Sequence, residues 1–214
     1  MTESLEPRQR SLPHERPIEA IRLTGGRPCL DFVNTIHDRH ALEPEDYVDT
    51  PERFIEWAAH AGLDAAMDTV PAVSTDRSVL MQEVAAFRLA LHAIFKARID
   101  RKPGPAVAIG LLDAWVHRAW SDLVLQTNGL LEWRSEAIDA RLPLKQIALD
   151  ALALLKESQA ERLKICSAEG ACGWLFFDTS KNNSRRWCAM ETCGTADKMT
   201  RYRKGVAATK DDQT

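Results

Sequence analysis

The chain has 214 residues, of which 45% are hydrophobic and 28% are charged, and it carries a net charge of −3. This length can form one well-buried domain together with a small module that depends on a metal for its fold. Residues 1–20 contain no apolar signal core, and the most apolar run, residues 106–112, is far shorter than the roughly 20 residues that cross a bilayer. We therefore expect a cytoplasmic protein with no membrane association.

The net charge hides a difference between the two parts of the chain. Residues 1–159 contain 18 Lys and Arg against 24 Asp and Glu, whereas residues 160–210 contain 10 against 5. A basic segment attached to an acidic body is compatible with a polyanionic partner, although such charges are also common on a solvated surface.

The first predicted elements are a flexible arm and two helices. Residues 1–20 are rich in Arg, Glu and Pro, a composition typical of an arm outside the core. Residues 24–39 predict a loop followed by a helix, because glycines and a proline precede an apolar stretch. Thr50 can cap the next helix while Pro51 occupies its first turn, and Gly62 is its expected end.

The following segments predict further helices and a turn. Over residues 75–101 apolar side chains recur every three or four positions, which predicts a long helix with one buried stripe. A Pro-Gly-Pro segment breaks this helix, and residues 106–120 predict another. Asn128-Gly129 between two apolar segments is typical of a β-hairpin. With a further helix over residues 139–164, the sequence predicts a mainly α domain over residues 21–160 with one small β-hairpin.

Four of the five cysteines occur close together, and two short gaps between them flank a longer one. Turns can bring such pairs together in a tetrahedral thiolate site, which favours one structural Zn²⁺ because no ligand position remains for water. The alternative is two disulfides, which would need an oxidising compartment. The predicted zinc ligands are Cys166, Cys172, Cys188 and Cys193.

The residues around the cysteines predict a small treble-clef-like zinc finger over residues 161–205, followed by a tail over residues 206–214. Loss of a zinc ligand is expected to unfold this finger and to leave the helical domain folded. The finger is predicted to contain a strand, a polar turn, a return strand and a short helix, at residues 174–178, 179–184, 185–188 and from 189 to about Gly205.

The finger closely resembles the CGNR zinc finger of bacterial proteins. The resemblance is carried by Cys172-Gly173-Trp174, Ser180-Lys181-Asn182, Arg185-Arg186-Trp187-Cys188 and Cys193-Gly194. Upstream, the segments CLDFVNT at residues 29–35 and FRLAL at residues 87–91 are similar to the ABATE domain that accompanies this finger. The resemblance implies a mainly helical N-terminal domain and a role as a transcription regulator linked to stress responses.

The chain departs from the signature that gives the finger its name. Thr195-Ala196 stands after Cys193-Gly194, where the family has Asn-Arg. If that arginine contacts phosphates or base edges, this chain should bind nucleic acid more weakly or differently. If the arginine only packs the finger, its loss has little effect on binding.

Basic residues of the finger are candidates for a DNA-binding surface. The alternative is that one arginine of the Arg185-Arg186 pair faces inward, toward Asp178 or the groups around the sulfurs, while the other charges are solvated. The candidate DNA-binding residues are Lys181, Arg185, Arg186, Lys198, Arg201, Arg203 and Lys204.

A second set of polar residues lies in the helical domain, interleaved with apolar ones. These side chains could line a pocket for a small effector or a protein partner, which would make the helical domain a sensor. The alternative is that they cap the helix and form hydrogen bonds to neighbouring loops. The set consists of Asp31, Asn34, Thr35, His37 and Arg39.

The sequence contains no glycine-rich phosphate loop, nucleophile elbow or zinc-protease motif, so an enzyme is not expected. The leading hypothesis is a transcription regulator whose zinc finger contacts DNA and whose helical domain receives a signal or a partner. A homodimer, a second protein or DNA shape could supply the specificity that one small finger lacks. The alternatives are a protein-interaction adaptor with a purely structural finger and a small-molecule-binding protein.

Overall fold

The computed structural model of the protein describes residues 16–39, 41–64, 77–135, 138–157, 159–168 and 172–211, the last eight of these by their backbone alone. The described residues are mainly helical with short antiparallel strand pairs, which confirms the predicted fold class. The α-helices are α1 (Pro28–Val33), α2 (Pro51–His60), α3 (Arg77–Ile99), α4 (Ala106–Asp122), α5 (Leu142–Lys156) and α6 (Thr195–Asp211). The paired strands are β1 (Ile36–His37) with β2 (Glu45–Asp46), β3 (Leu123–Leu125) with β4 (Leu131–Trp133), and β5 (Leu163–Ile165) with β6 (Leu175–Phe177).

Local signals in the sequence determine where α2 begins and ends, as predicted. The Thr50 hydroxyl accepts a hydrogen bond from the Arg53 backbone N–H at 3.3 Å. Pro51 is the first helical residue, where its missing N–H costs no helical hydrogen bond. Gly62 follows the helix with a φ of 74°, a left-handed conformation that glycine adopts without strain.

Helix α3 lies at the centre of the helical domain and packs against α1, α2 and α4. Its buried Phe87 lies 6.2 Å from Phe32 and 5.7 Å from Trp115 between ring centroids. By length and composition alone α3 could also cross a membrane, which was not expected from the sequence. Because the α3 stripe is buried in the core and its buried Arg88 forms an ion pair with Asp46, we interpret α3 as a core helix.

Two strand pairs lie in the helical domain, and one of them was predicted. β3 and β4 form the hairpin around Asn128-Gly129, with Leu125 opposite Leu131 and Gly129 at a φ of 82°. The pair of β1 and β2 was not predicted, because strands of two residues each are too short to produce an alternating pattern.

The prediction of one helix over residues 139–164 is wrong at its end. α5 stops at Lys156, and Leu163 instead begins β5, where it lies opposite Phe177 of β6. The predicted return strand, residues 185–188, is not a strand, because β5 is the partner of β6. This pairing buries apolar side chains of both strands, a long-range gain that the local pattern does not reveal.

The finger and the helical domain share one hydrophobic core. Trp174, Leu175 and Phe176 are buried in the same cluster as the core residues of the helices, and β6 packs against α1. The predicted arm, residues 1–20, lies mostly outside the described residues, but its end contributes the buried Ile18 to this core. The finger therefore rests on the helical domain over an apolar contact.

The C-terminal helix is longer than predicted. α6 extends to Asp211, whereas the sequence predicted a helix that ends near Gly205 and a tail over residues 206–214. A single glycine inside a helix costs only about 1 kcal/mol relative to alanine, which is too little to end the helix. Residues 212–214 of the predicted tail lie outside the described residues.

Candidate metal centre and nucleic-acid interface

Four cysteine sulfurs converge beside β5 and at the turn that precedes α6. The Sγ atoms of Cys166, Cys172, Cys188 and Cys193 all lie within 4.8 Å of one another. Cys172 Sγ lies 3.7 Å from Cys188 Sγ and 3.6 Å from Cys193 Sγ, and the last two are 3.5 Å apart. A zinc ion with four Zn–S bonds of about 2.3 Å needs S···S separations of about 3.8 Å. The cluster therefore fits tetrahedral zinc.

The chemistry of the four thiols also favours a metal. None of the described cysteines is in a disulfide. Hydrogen bonds from Cys172 and the two other thiols lower the pKa of Cys166, whereas hydrogen bonds within the same cluster raise the pKa of Cys188. Four thiolates at these distances repel one another, so all four can ionise only around a cation. The finger holds one structural zinc ion, and four sulfur ligands leave no position for water.

Gly194 allows the last zinc ligand to be placed tightly against the finger. Cys193 and Gly194 lie in a π-helical turn, Met190–Gly194, that leads directly into α6. A Cβ atom at Gly194 would lie 2.5 Å from the Met190 sulfur and 3.3 Å from the Trp187 ring. Any larger residue would therefore displace Met190 or the indole that packs beside the metal ligands.

A buried carboxylate holds the loop between the second and third ligands. Asp178 is fully buried and accepts hydrogen bonds from Lys164 Nζ at 2.7 Å and from the N–H groups of Ser180 and Arg185 at 2.8 Å each. Burial by itself raises the pKa of Asp178, but the hydrogen bonds from Lys164 and the two loop residues outweigh it and lower the pKa below its ordinary value. The charged Asp178 thus fixes the loop that leads to Cys188.

Arg185 faces inward. Its guanidinium donates to three backbone carbonyls, including those of Thr24 at 3.0 Å and of Cys188, and it lies over the Phe176 ring at 4.5 Å from the centroid. By holding the carbonyl of a zinc ligand, Arg185 orients the metal site. This is the inward arrangement that the sequence left open for one arginine of the pair, so we remove Arg185 from the proposed DNA surface and retain the exposed Arg186.

The other basic candidates lie at the surface of the finger. Arg186 and Arg201 both lie against the Trp187 ring, at 5.3 and 6.0 Å from its centroid, and Arg201 also forms an ion pair with Asp197 at 2.5 Å. The loop before Cys188 and helix α6 therefore present their charges side by side. The side chain of Lys204 lies outside the described residues, and the exposed basic residues are Lys181, Arg186, Lys198, Arg201 and Arg203.

Among the residues proposed to line an effector pocket, Asn34 instead joins the helical domain to the finger. Its Nδ2 donates to the Leu175 carbonyl and its Oδ1 accepts from the Leu175 N–H, both at 2.8 Å. Beside it, Trp174 Nε1 donates to the Ile36 carbonyl at 3.0 Å. These hydrogen bonds add to the apolar contact between α1 and β6 and fix the position of β6 on the helical domain.

Asp31 is buried at the start of α1. Its Oδ1 accepts a hydrogen bond from the Gly25 N–H at 2.7 Å, and a Cβ atom at Gly25 would lie 2.9 Å from that oxygen and 2.8 Å from Leu30 Cβ. Burial raises the pKa of Asp31 to about 7, while the Gly25 hydrogen bond lowers it and Asp150 raises it further. Asp31 is thus a buried acid that titrates near neutrality.

Thr35 and Arg39 also have partners within the protein. The Thr35 hydroxyl donates to the Phe32 carbonyl and accepts from Arg88, both at 2.8 Å. Arg39 donates to the Val33 carbonyl at 2.6 Å, and burial together with the nearby Arg88 lowers its pKa to about 10. These two side chains stabilise the turn after α1.

His37 lines a cavity of about 190 Å³ together with Tyr47, Trp174 and the zinc ligands Cys172 and Cys193. Its ring lies 5.5 Å from the Tyr47 ring and 5.6 Å from the Trp174 ring between centroids. The five side chains of the proposed pocket thus have separate partners and do not converge on a shared ligand position. The hydrogen bonds of Asp31, Asn34, Thr35 and Arg39 match the alternative of bonding within the protein, whereas His37 lies near the carboxylates of Asp38 and Glu45.

Sequence reasoning did not single out one group of cations that the structure places near the finger. Arg98, Arg101 and Lys102 lie at the end of α3 and line a groove beside β5 and Arg186. The available signal was three basic residues within five positions, directly before the Pro-Gly-Pro break. Such residues also complement the dipole at the end of a helix, so the pattern alone did not point to a site.

Comparison with known protein families gives two matches. Residues 162–204 match the CGNR zinc finger, and residues 26–158 match the ABATE family, whose description is "Putative stress-induced transcription regulator". No curated protein matches the chain. The two matches confirm both parts of the resemblance seen in the sequence.

Proposed function

The chain belongs to the ABATE family and carries a CGNR zinc finger, and from this premise we propose that it is a cytoplasmic, non-enzymatic transcription regulator that binds DNA. The zinc ion would stabilise the finger and take no part in chemistry. The finger would contact the phosphate backbone through its exposed basic residues, which supply most of the affinity of such complexes.

The observation that carries this proposal is the exposed, basic helix α6, which begins directly after the zinc ligands. Of the six residues from Lys198 to Arg203, five are exposed. α6 contains five Lys and Arg residues but two Asp residues. A helix of this length is roughly 25 Å long, and an α-helix fits the major groove of DNA, which is about 12 Å wide.

Arg186 extends the basic surface away from α6. Its guanidinium group and that of Arg201 of α6 lie 5.3 and 6.0 Å from the centroid of the same Trp187 ring. Because the indole holds both guanidinium groups near one another, they would be presented together to the DNA with little loss of side-chain entropy.

The helical domain would support the finger and receive the signal. Asn34 and Trp174 fasten β6 to the segment around α1. A ligand or partner protein that moved α1 would therefore also move β6, which lies between two zinc ligands in the chain. The cavity beside His37 and Cys193 is a place where a small effector could exert this effect.

One finger with one exposed helix reads few base pairs, so useful sequence specificity would require two copies of the site or a second protein. We therefore propose a homodimer on DNA. A homodimer should prefer a target site with two-fold symmetry. Selection of bound sequences from a random pool of DNA tests this expectation.

The proposal is tested by titrating zinc-loaded protein with random-sequence duplex DNA at two salt concentrations. We expect affinity to fall steeply with salt, because phosphate contacts release counterions. The variant Arg186→Gln with Lys198→Gln should lower the affinity by roughly tenfold at low salt and reduce the slope of log K against log salt by about 2.

The matched control is Arg134→Gln with Lys156→Gln, which removes the same charge from two exposed positions outside the finger. If the control weakens binding as much as the finger variant, the effect is one of net charge and the proposed surface is wrong. If zinc-loaded wild-type protein does not bind DNA at low salt, the DNA-binding function itself is wrong.

A protein-docking role is the second candidate, and one observation favours it. Met199 and Tyr202, three residues apart on α6, are 49% and 70% exposed, and exposed aromatic and methionine side chains are typical of protein interfaces. Absence of DNA binding, together with self-association that is insensitive to salt and lost in Tyr202→Ala, would support this role.

A further inference from the structure

An open groove of about 910 Å³ lies between the end of α3 and the finger. One wall is formed by the last turn of α3 and the residues after it, and the other by β5 and the loop that carries Arg186. The groove residues that carry charge are Arg98, Arg101, Lys102, Glu161, Lys164, Arg185 and Arg186.

The groove is strongly cationic, and four of its charges are available to a ligand. Arg98, Arg101, Lys102 and Arg186 are exposed, and among the described residues no carboxylate forms an ion pair with them. The nearby Asp100 is paired with Lys96 at 2.9 Å and also interacts electrostatically, at longer range, with Lys102. Lys164 and Arg185 are committed to Asp178 and to backbone carbonyls, so they support the groove without offering free donors.

Both walls of the groove are held in place by the core. α3 packs against β5, which ties the long core helix to the strand that leads into the first zinc ligand. On the opposite wall, the Ser167 N–H donates to the Arg186 carbonyl at 2.9 Å, which ties the arginine loop to the segment after the first zinc ligand. The cations therefore project from rigid elements, which lowers the entropy cost of binding.

Arg101 occupies a backbone position where glycine is normally found. It follows α3 with a φ of 56°, and the Lys102 N–H bonds back to the Ala97 carbonyl at 2.8 Å. A non-glycine residue in this left-handed conformation is strained by roughly 1 kcal/mol. Arg101 thus combines a strained backbone with a side chain that lines the groove.

The lining of the groove indicates which ligand it accepts. Its described lining residues include no aromatic side chain, and aromatic side chains are the stacking surfaces on which unpaired bases bind. Its exposed donors are guanidinium and ammonium groups, which bind phosphate oxygens. Because Arg186 lines the groove and also lies against the Trp187 ring shared with Arg201, the groove is continuous with the basic surface of α6.

We infer that this groove is a second phosphate-binding site for duplex DNA, in which Arg98, Arg101 and Lys102 of the helical domain contact the backbone of the duplex that α6 binds. The inference rests on the proposed DNA-binding function and deepens it. The DNA interface is then a composite of both family domains, and the end of α3 provides a route by which the helical domain influences binding directly.

The test compares Arg98→Gln with Lys102→Gln against the control pair Arg134→Gln with Lys156→Gln, using random-sequence duplex DNA. Each double variant loses one arginine and one lysine. Lys156 lies in the last turn of a helix, as Arg98 does, so the control also accounts for the loss of a basic residue at a helix end. We expect the groove variant to weaken binding by roughly tenfold at low salt and to reduce the salt slope by about 2, while the control changes neither. Groove and control variants that bind equally would overturn the inference.

Arg101→Gly provides an independent variant that should not harm the fold. Glycine relieves the left-handed strain, so we expect an unchanged or higher Tm together with weaker DNA binding by several-fold. Unchanged DNA binding in this variant would also count against the groove.

The two proposals fail in distinguishable ways. If wild-type protein binds no DNA, the proposed function fails. If wild-type protein binds and Arg186→Gln with Lys198→Gln weakens binding while the groove variant does not, only the groove is wrong. Single-stranded DNA that binds more tightly than the duplex would likewise overturn the assignment of duplex phosphates.

Discussion

The Asn34 carboxamide pairs with both backbone groups of Leu175, accepting from its N–H and donating to its carbonyl at 2.8 Å each. Asn34 and Leu175 are buried, and Leu175 begins β6, between two zinc ligands in the chain. The side chain thus acts toward β6 as the backbone of another strand would. A single residue at the end of α1 therefore couples the fold of the helical domain to the geometry of the metal site.

We predict that Asn34→Ala destabilises the whole protein. The substitution leaves a buried N–H and a buried carbonyl of Leu175 unpaired, at a cost of roughly 2–5 kcal/mol. Urea unfolding of the zinc-loaded protein measures this cost, and a competing chelator measures the expected loss of zinc affinity.

The control for this variant is Asn34→Asp, which keeps the size and one acceptor but cannot donate to the Leu175 carbonyl when ionised. We expect it to lie close to wild type below the pKa of the new acid, where its O–H can donate to the carbonyl, and to be at least as unstable as Asn34→Ala above that pKa. A stability of Asn34→Ala within a few tenths of a kcal/mol of wild type would mean that water replaces the carboxamide.

Loss of a zinc ligand should affect more than the finger. The sequence predicts that residues 166–204 unfold while the helical domain stays folded, but Trp174, Leu175 and Phe176 belong to the same core as the helices. We therefore expect Cys188→Ser to lose zinc and to lower the stability of the helical domain as well, in one transition. Zinc content and urea unfolding followed by far-UV circular dichroism and tryptophan fluorescence measure both effects.

Cys29→Ser is the matched control, because Cys29 is buried in the core but lies outside the sulfur cluster. It should keep one zinc per chain. Two separate transitions in Cys188→Ser, or a helical domain as stable as in wild type, would show that the two parts fold independently despite their shared core.

The buried Asp31 predicts a pH dependence of stability. Its pKa is raised from 3.8 to about 7 in the folded protein, so between these values the folded state holds a proton that the unfolded state has lost. The contribution of Asp31 to the free energy of unfolding is therefore complete below about pH 4. It falls by up to roughly 4 kcal/mol as the pH rises toward 7.

Asp31→Asn removes this titration and keeps an oxygen that can accept from Gly25. We expect the variant to be more stable than wild type at about pH 8, and this advantage to shrink to roughly 1–2 kcal/mol at about pH 5. Unfolding of both proteins in excess zinc across this range isolates the effect from metal loss. A stability difference that stays constant with pH would mean that Asp31 is ionised throughout, as Arg185 would favour.

Much of the fold and the metal site could be predicted because local patterns determine them. The Thr50 cap, the Asn128-Gly129 turn and the apolar stripe of α3 each depend on neighbours within one or two turns of the chain. The sulfur cluster was predicted for a chemical reason, since four cysteines at this spacing can bring their sulfurs together around one zinc ion.

Several of the errors have a common cause in contacts between distant residues. Leu163 is part of a strand because Phe177 lies opposite it. The residues around Leu163 in the sequence do not indicate that partner. Arg185 and Arg186 are identical in sequence terms, but the first is drawn inward by the Thr24 carbonyl, 161 positions away. The groove likewise joins the end of α3 to a loop more than 80 positions later, so its charges could not be assigned to one surface in advance.

Ala196 lies where the family signature has an arginine. Restoring an arginine there tests how much this side chain contributes to DNA binding. It is exposed near the start of α6, one and two turns before Thr200 and Arg203, so an arginine there can reach solvent without disturbing the core. If the signature arginine contacts phosphate, Ala196→Arg should tighten binding by roughly three- to tenfold at low salt and steepen the salt slope by about 1. Ala196→Gln, of similar length but neutral, is the control measured in the same titration. Equal binding by the two variants would mean that position 196 does not face the DNA, and the phosphate contacts would then be assigned to Arg186 and the remaining cations of α6.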